Sequence, residues 1–208
     1  MFSLQPRILA RTREVTRAVV EIKVPVQLSD IQVTLPPETE REKAKRRKIT
    51  EEEFFAQLQH LNDPKAVEFA RWILDNAEDH ELKIVWGDSG PLFKYFEPTK
   101  GKYFTFGQLH PNGLLGATGW LWGRFVELSL PIEICQDYFD EVANLIPNAS
   151  RKRFKQKSGN WQWEQIAYGK NPKPGDLPPF AALAENKEKF MEAIDKAIQR
   201  INEVMENE

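Results

Sequence analysis

Residues 150–165 read SRKRFKQKSGNWQWEQ: five cations (Arg151, Lys152, Arg153, Lys155 and Lys157) within seven positions, a Ser-Gly-Asn turn, then Trp161 and Trp163. Cations that neutralise phosphates release counterions, so such a cluster would bind nucleic acid in a strongly salt-dependent way. Tryptophan faces stack on bases at about 1–3 kcal/mol per base. The same residues also fit a solvated loop leading into a half-buried strand. If residues 161–168 are a strand, Trp161, Trp163 and Gln165 share one face and Gln162, Glu164 and Ile166 take the other, so only one set is open to a ligand. The basic run is then expected as a crossing loop with free cations, and the tryptophans as partly buried.

A second pair, Trp120 and Trp122, has the same i, i+2 spacing and would project from one strand face if its segment is extended. Trp72 and Trp86 read as core. The chemistry of hydrolysis has one candidate pattern, Glu21-Ile22-Lys23 on a strand-like run. Glu-x-Lys is the half-motif of metal-dependent nucleases, in which the acid holds Mg²⁺ and the lysine positions water. That chemistry needs an upstream Asp, and none precedes Asp30; Glu81-Leu82-Lys83 matches too, but its neighbouring acids lie on a helix. His60, His80 and His110 are isolated, and no His or Cys pair has metal-ligand spacing. GLLGATG lacks the Lys and Ser/Thr of a phosphate loop, and there is no GxSxG elbow. No catalytic residue, metal or cofactor is therefore assigned.

Composition sets the frame for these residues. The chain has 208 residues, 41% hydrophobic and 29% charged, with net charge -2, so nucleic-acid affinity would have to come from local clusters. A lone cysteine, Cys135, excludes an internal disulfide and points to a reducing cytoplasm. It falls between apolar helix positions and reads as core. No apolar run approaches a membrane span, and the N-terminus has no secretory h-region.

Residues 18–26 and 31–35 alternate as half-buried strands, an extended or hairpin arm over residues 1–37. Residues 38–48, ETEREKAKRRK, form a charged linker that carries Arg46 and Arg47. Residues 49–208 form the main domain. Thr50 with Glu53 predicts a capping box, and Asp63-Pro64 a second helix start with Ala66, Ala70, Ile73, Leu74 and Ala77 inward, ending near His80. LKIVWG, LFKYFE, KYFTFGQL and RFVELSLPI read as strands, the second and third joined by a Pro-Thr-Lys-Gly turn. A helix over about 133–146 turns Cys135, Tyr138, Phe139, Val142, Leu145 and Ile146 inward. A final helix carries Phe190, Ile194, Ala197, Ile201 and Val204 on one stripe. This order predicts an α+β fold, a mostly antiparallel sheet with helices packed on one face.

The portion over about 48–208 resembles an uncharacterised bacterial α+β domain. The likeness rests on the ITEEEFF opening, the KIVWG strand, the helix ending in IPNAS and the closing FMEAIDKAIQRI helix. In some of those proteins the domain looks like a C-terminal partner of a restriction-type nuclease domain. The resemblance implies an accessory module, brings no catalytic residues, and lacks a nuclease core ahead of Ala18. Three functional expectations follow. The first is a non-enzymatic module contacting DNA, RNA or a nucleic-acid-processing partner through Arg151, Lys152, Arg153, Lys155, Lys157, Trp161 and Trp163, helped by Arg46 and Arg47. The second is a protein–protein adaptor, or self-association through the N-terminal strands. The third is a degenerate Mg²⁺ nuclease.

Overall fold

The computed structural model describes residues 7–11, 16–19, 47–156 and 161–206. The chain divides into two compact units, Met1–Lys45 and Arg46–Glu208. In the first, β1 (Arg7–Arg11) pairs antiparallel with β2 (Thr16–Val19), with a register shift between Ile8 and Arg11. An N-terminal hairpin is thus present over residues 7–19. Of the two expected strands, only residues 18 and 19 are described.

The second unit opens with α1 (Glu51–Gln59). Its capping box forms as expected: Glu53 N donates to Thr50 Oγ1 at 3.2 Å, and Thr50 N donates to Glu53 Oε2 at 3.1 Å. Asp63 caps α2 (Pro64–Asn76), accepting from Lys65 N at 3.1 Å and Ala66 N at 3.3 Å. Helix α2 buries Ala66, Phe69, Ala70 and Ile73; a tight turn over Glu78–His80 then leads into the sheet.

The sheet has the order β3-β4-β5-β6, every pair antiparallel, from β3 (Leu82–Trp86), β4 (Pro91–Glu97), β5 (Lys102–Leu109) and the two-residue β6 (Leu115–Gly116). The β3–β4 turn requires glycine at 90: its φ is +130°, and a Cβ there would lie 2.0 Å from the Leu109 carbonyl oxygen. Buried Glu97 holds the β4–β5 turn, accepting from Thr99 N at 2.7 Å and Lys100 N at 2.8 Å.

RFVELSLPI is not a strand. Residues 118–127 form α3 (Thr118–Glu127), a reversal at Ser129 (φ +55°) follows, and α4 (Ile132–Asn144) begins. Thr118, Leu121, Trp122 and Phe125 are buried at spacings of 3, 1 and 3, a helical stripe that the flanking glycines and β-branched residues conceal in the sequence. The basic run is not a loop either. It is β7 (Ala149–Lys155), paired antiparallel with β8 (Gln162–Tyr168) in a separate two-stranded sheet.

The chain closes with a 3-10 segment, Phe180–Asn186, and α5 (Lys187–Glu206), whose inward stripe is the expected Phe190, Ile194, Ala197 and Ile201, widened by Met191, Ile198 and Met205. Helix α5 lies on the sheet. The Phe190 ring meets Phe69 of α2 at 5.6 Å and Phe93 of β4 at 6.0 Å, and the Tyr95 hydroxyl donates to Asn202 Oδ1 at 2.6 Å. Helix α4 packs beside it, and its Tyr138 hydroxyl donates to the Phe106 carbonyl at 2.9 Å. The fold is therefore α+β. Among the described residues no helix is long and apolar enough to cross a membrane.

Cys135 is fully buried on the inward face of α4, and burial, helped by the Glu164 charge, pushes its thiol well above the ordinary range. A thiol reagent at neutral pH should therefore label Cys135 only as fast as the chain unfolds, with the rate rising in urea along the unfolding curve. Complete labelling within the mixing time in plain buffer would contradict this packing.

Candidate functional site

The β7–β8 register decides which side chains are available to a ligand. Arg151 pairs with Ile166, Lys152 with Gln165, Arg153 with Glu164, Phe154 with Trp163 and Lys155 with Gln162. Side chains alternate along each strand, so Arg151, Arg153 and Lys155 share a face with Gln162, Glu164 and Ile166. Lys152 and Phe154 share the other with Trp163 and Gln165. The ladder extends one step further, since Gln156 N donates to the Trp161 carbonyl at 2.9 Å.

The first face is built around a buried carboxylate. Glu164 is 1% exposed and takes Arg151 Nη1 at 2.6 Å and Arg153 Nε at 2.7 Å. Arg151 also reaches Asp140 of α4, its Nε 2.9 Å from Oδ1, and Gln136 Nε2 of α4 lies 3.3 Å from both Glu164 oxygens. Burial pushes the Glu164 carboxyl up, but the hydrogen bonds and charges of Arg151 and Arg153 outweigh it and hold the carboxyl below the ordinary glutamate value. Hydrogen bonds to Asp140 and Glu164 likewise raise Arg151. The expectation of free cations therefore fails at Arg151 and Arg153, which are committed to an internal ion cluster.

The second face is half open. Trp161 is 50% exposed and stacks on half-buried Trp163 with ring centroids 5.8 Å apart and planes 25° apart. Phe154 extends the row, 5.7 Å from Trp163. Among the described residues neither Lys152, on this face, nor Lys155, at the strand end, has an ion-pair partner. Lys157 and Arg46 lie outside the described residues. Arg47 is not brought to this site: it pairs with Glu53 and lines a separate hollow with Asp88 and His110.

Trp120 joins the aromatic face by a route that strand spacing could not reveal. On helix α3 two residues are separated by roughly 200° around the axis, so Trp120 and Trp122 point to opposite sides. Trp120 is 60% exposed. Trp122 is 8% exposed, with the Arg153 guanidinium 5.9 Å from its ring. The start of α3 sits close on β8, where Ile166 N donates to Thr118 Oγ1 at 3.3 Å. Gly119 allows this approach: a Cβ there would lie 3.2 Å from Trp163 Cδ1 and 3.5 Å from the Glu164 carbonyl oxygen. Between the two elements is a cleft of about 260 Å³ lined by Trp120, Trp161, Trp163, Gln165, Gly119 and Leu177, among others. The sequence named Trp120 only as half of a strand-like pair with Trp122 and Gln165 only as a neighbour on the face of Trp161 and Trp163; Leu177 is the lining residue that sequence reasoning missed.

Catalytic arrangements are weaker. His80 Nδ1 is 2.8 Å from Asp195 Oδ2, and His110 is half-buried, its pKa lowered by burial. The Ser89 hydroxyl donates to Asp88 at 3.2 Å, which is not the contact of an activated nucleophile with a base. Among the described residues no group of three His, Cys, Asp or Glu could hold a metal ion. Glu81 sits at a turn with φ +57° ahead of Lys83 in β3, and Glu21 and Lys23 lie outside the described residues.

Glu164 makes the hairpin's stability depend on pH in a defined direction. Its folded pKa is depressed, so its contribution is complete above the unfolded value of about 4.3 and fades as pH falls through the folded value. Glu164→Gln should lose about 1–3 kcal/mol at pH 7, because both guanidiniums still reach some solvent. The gap to wild type in urea midpoints should shrink below about pH 4; a gap that persists unchanged at pH 3 would contradict the assignment. Compared with family models, curated proteins and solved structures, the chain matches none.

Proposed function

We propose that this chain is a non-enzymatic accessory module that contacts single-stranded nucleic acid through the outer face of the β7–β8 hairpin. The observation that carries the reading is the Trp161–Trp163 stack, half open to solvent on the same strand pair as Lys152 and Lys155. Nearly parallel indoles extend a base stack without regard to sequence, and lysines on the same ribbon reach the phosphates that join stacked bases. The surface is a small one. Arg151 and Arg153 are held by Glu164, which leaves Lys152 and Lys155 as the described cations of the run without an ion pair. Lys152 lies on the aromatic face and Lys155 on the other, at the strand end, so one to two phosphates are neutralised and the dependence of log K on log salt is expected between about −0.7 and −1.4 for a single strand. Such an interface suits a module that adds affinity to a larger assembly, as the likeness to partners of nuclease domains suggests by analogy. The one cysteine fits a reducing, cytoplasmic setting.

A second reading, a protein–protein adaptor, draws on the N-terminal hairpin. Among the described residues β1 and β2 pair only with each other, and two strands alone leave backbone edges that a partner's sheet or a second copy would extend.

Binding of a fluorescent single-stranded oligonucleotide, followed from 20 to 200 mM salt, tests the first reading. Wild type should bind with a shallow negative salt slope. Trp161→Ala and Trp163→Ala should each weaken binding by about 1–3 kcal/mol with the slope unchanged. Lys152→Glu should flatten the slope by about 0.7. No binding at low salt, or variants that bind like wild type, would reject the reading; a dimer by light scattering that is lost with residues 1–45 would favour the adaptor.

A further inference from the structure

We infer that the cleft between the start of α3 and β8 receives one unstacked base of the bound strand and selects a base whose edge carries a carbonyl acceptor. This rests on the single-strand reading above and adds specificity to it. The volume, about 260 Å³, is just under the roughly 300–1,000 Å³ of sites for drug-sized ligands, and suits a single planar ring system. Three of its walls are indoles, Trp120 from the helix and Trp161 and Trp163 from the strand, so a flat ring entering it meets aromatic surface from two elements.

The selective group is Gln165. Trp163 Nε1 donates to Gln165 Oε1 at 3.2 Å, which fixes the amide with its oxygen engaged. Gln165 Nε2 is left shielded from solvent with no hydrogen-bond partner. A buried donor without an acceptor is a standing penalty, which a ligand carbonyl relieves and a ligand amine does not. Trp161, half exposed and stacked on Trp163, is the open wall on the strand side. Lys152 stands directly across the ladder from Gln165 and on the same face. Cross-strand neighbours of this kind are about 5 Å apart at Cβ, so the phosphate of a nucleotide whose base reaches Gln165 lies within the reach of Lys152. Thymine and uracil fit this description with two carbonyls. Adenine has none.

The test compares oligo(dT) and oligo(dA) of equal length on the full chain, at fixed salt, by tryptophan fluorescence. Wild type should prefer oligo(dT) by about fivefold, the worth of one net hydrogen bond. Gln165→Leu should bind oligo(dA) as wild type does and lose the preference. Trp120→Ala should lose the preference too, yet keep the wild-type salt slope, which a general loss of structure would not spare. Equal binding of the two oligomers by wild type, or a preference retained in both variants, overturns the cleft and leaves the single-strand reading standing. Binding of neither oligomer overturns both.

Discussion

The availability of the aromatic face depends on one buried carboxylate. Side chains alternate across a strand, so a slip of one residue in the β7–β8 register would exchange the two faces of the hairpin. Glu164 opposes that slip. Its oxygens are met by Arg151 and Arg153 from the paired strand and by Gln136 from α4, while Asp140 holds the far side of Arg151. In a pairing slipped by one residue Glu164 would face solvent, Trp163 would face α4, and the guanidiniums would lose their partner. A buried ion cluster adds little net stability compared with apolar packing, but one left incomplete is costly, and this makes it an effective lock on register.

The rest of the domain gives that lock its setting. Helix α5 and the four-stranded sheet form the main core through Phe190, Phe93 and Tyr95. Helix α4 is anchored to that core by Cys135, Tyr138, Phe139 and Val142, and it presents Gln136 and Asp140 to the hairpin from an adjoining side. Helix α3 closes the opposite edge of β8 through Thr118, and the absence of a side chain at Gly119 brings Trp120 to the aromatic row. Strand pairing, an ion cluster and a close helix approach thus converge on one small surface.

Much of the scaffold was legible in the sequence because it obeys local rules. The capping box at Thr50, the Asp63-Pro64 start, the 102–109 strand and the α5 stripe depend on residues within a turn or two of each other. Failures came where long-range partners decide. Polar flanks made residues 124–132 look like an alternating strand, but contacts of Leu121 and Phe125 with the core hold residues 118–127 in a helix. Five cations in seven positions looked like a loop because the carboxylate that takes Arg151 and Arg153 lies eleven residues after Arg153 and is hidden from any local window. The facing of Trp161 and Trp163 was reduced correctly to one alternative, but choosing it required the position of Glu164. The cleft could not be read at all, since Trp120 and Gln165 are 45 positions apart and meet only through the α3–β8 approach.

On the reading proposed above, this aromatic face is the part of the described molecule that meets single-stranded nucleic acid. The six tryptophan indole N–H resonances report on it directly in a titration with an unlabelled single-stranded oligonucleotide. The resonances of Trp120, Trp161 and Trp163 should shift together with one affinity, while those of Trp72, Trp86 and Trp122 stay in place. Shifts confined to Trp72, Trp86 or Trp122, or no shift at saturating oligonucleotide and low salt, would contradict it.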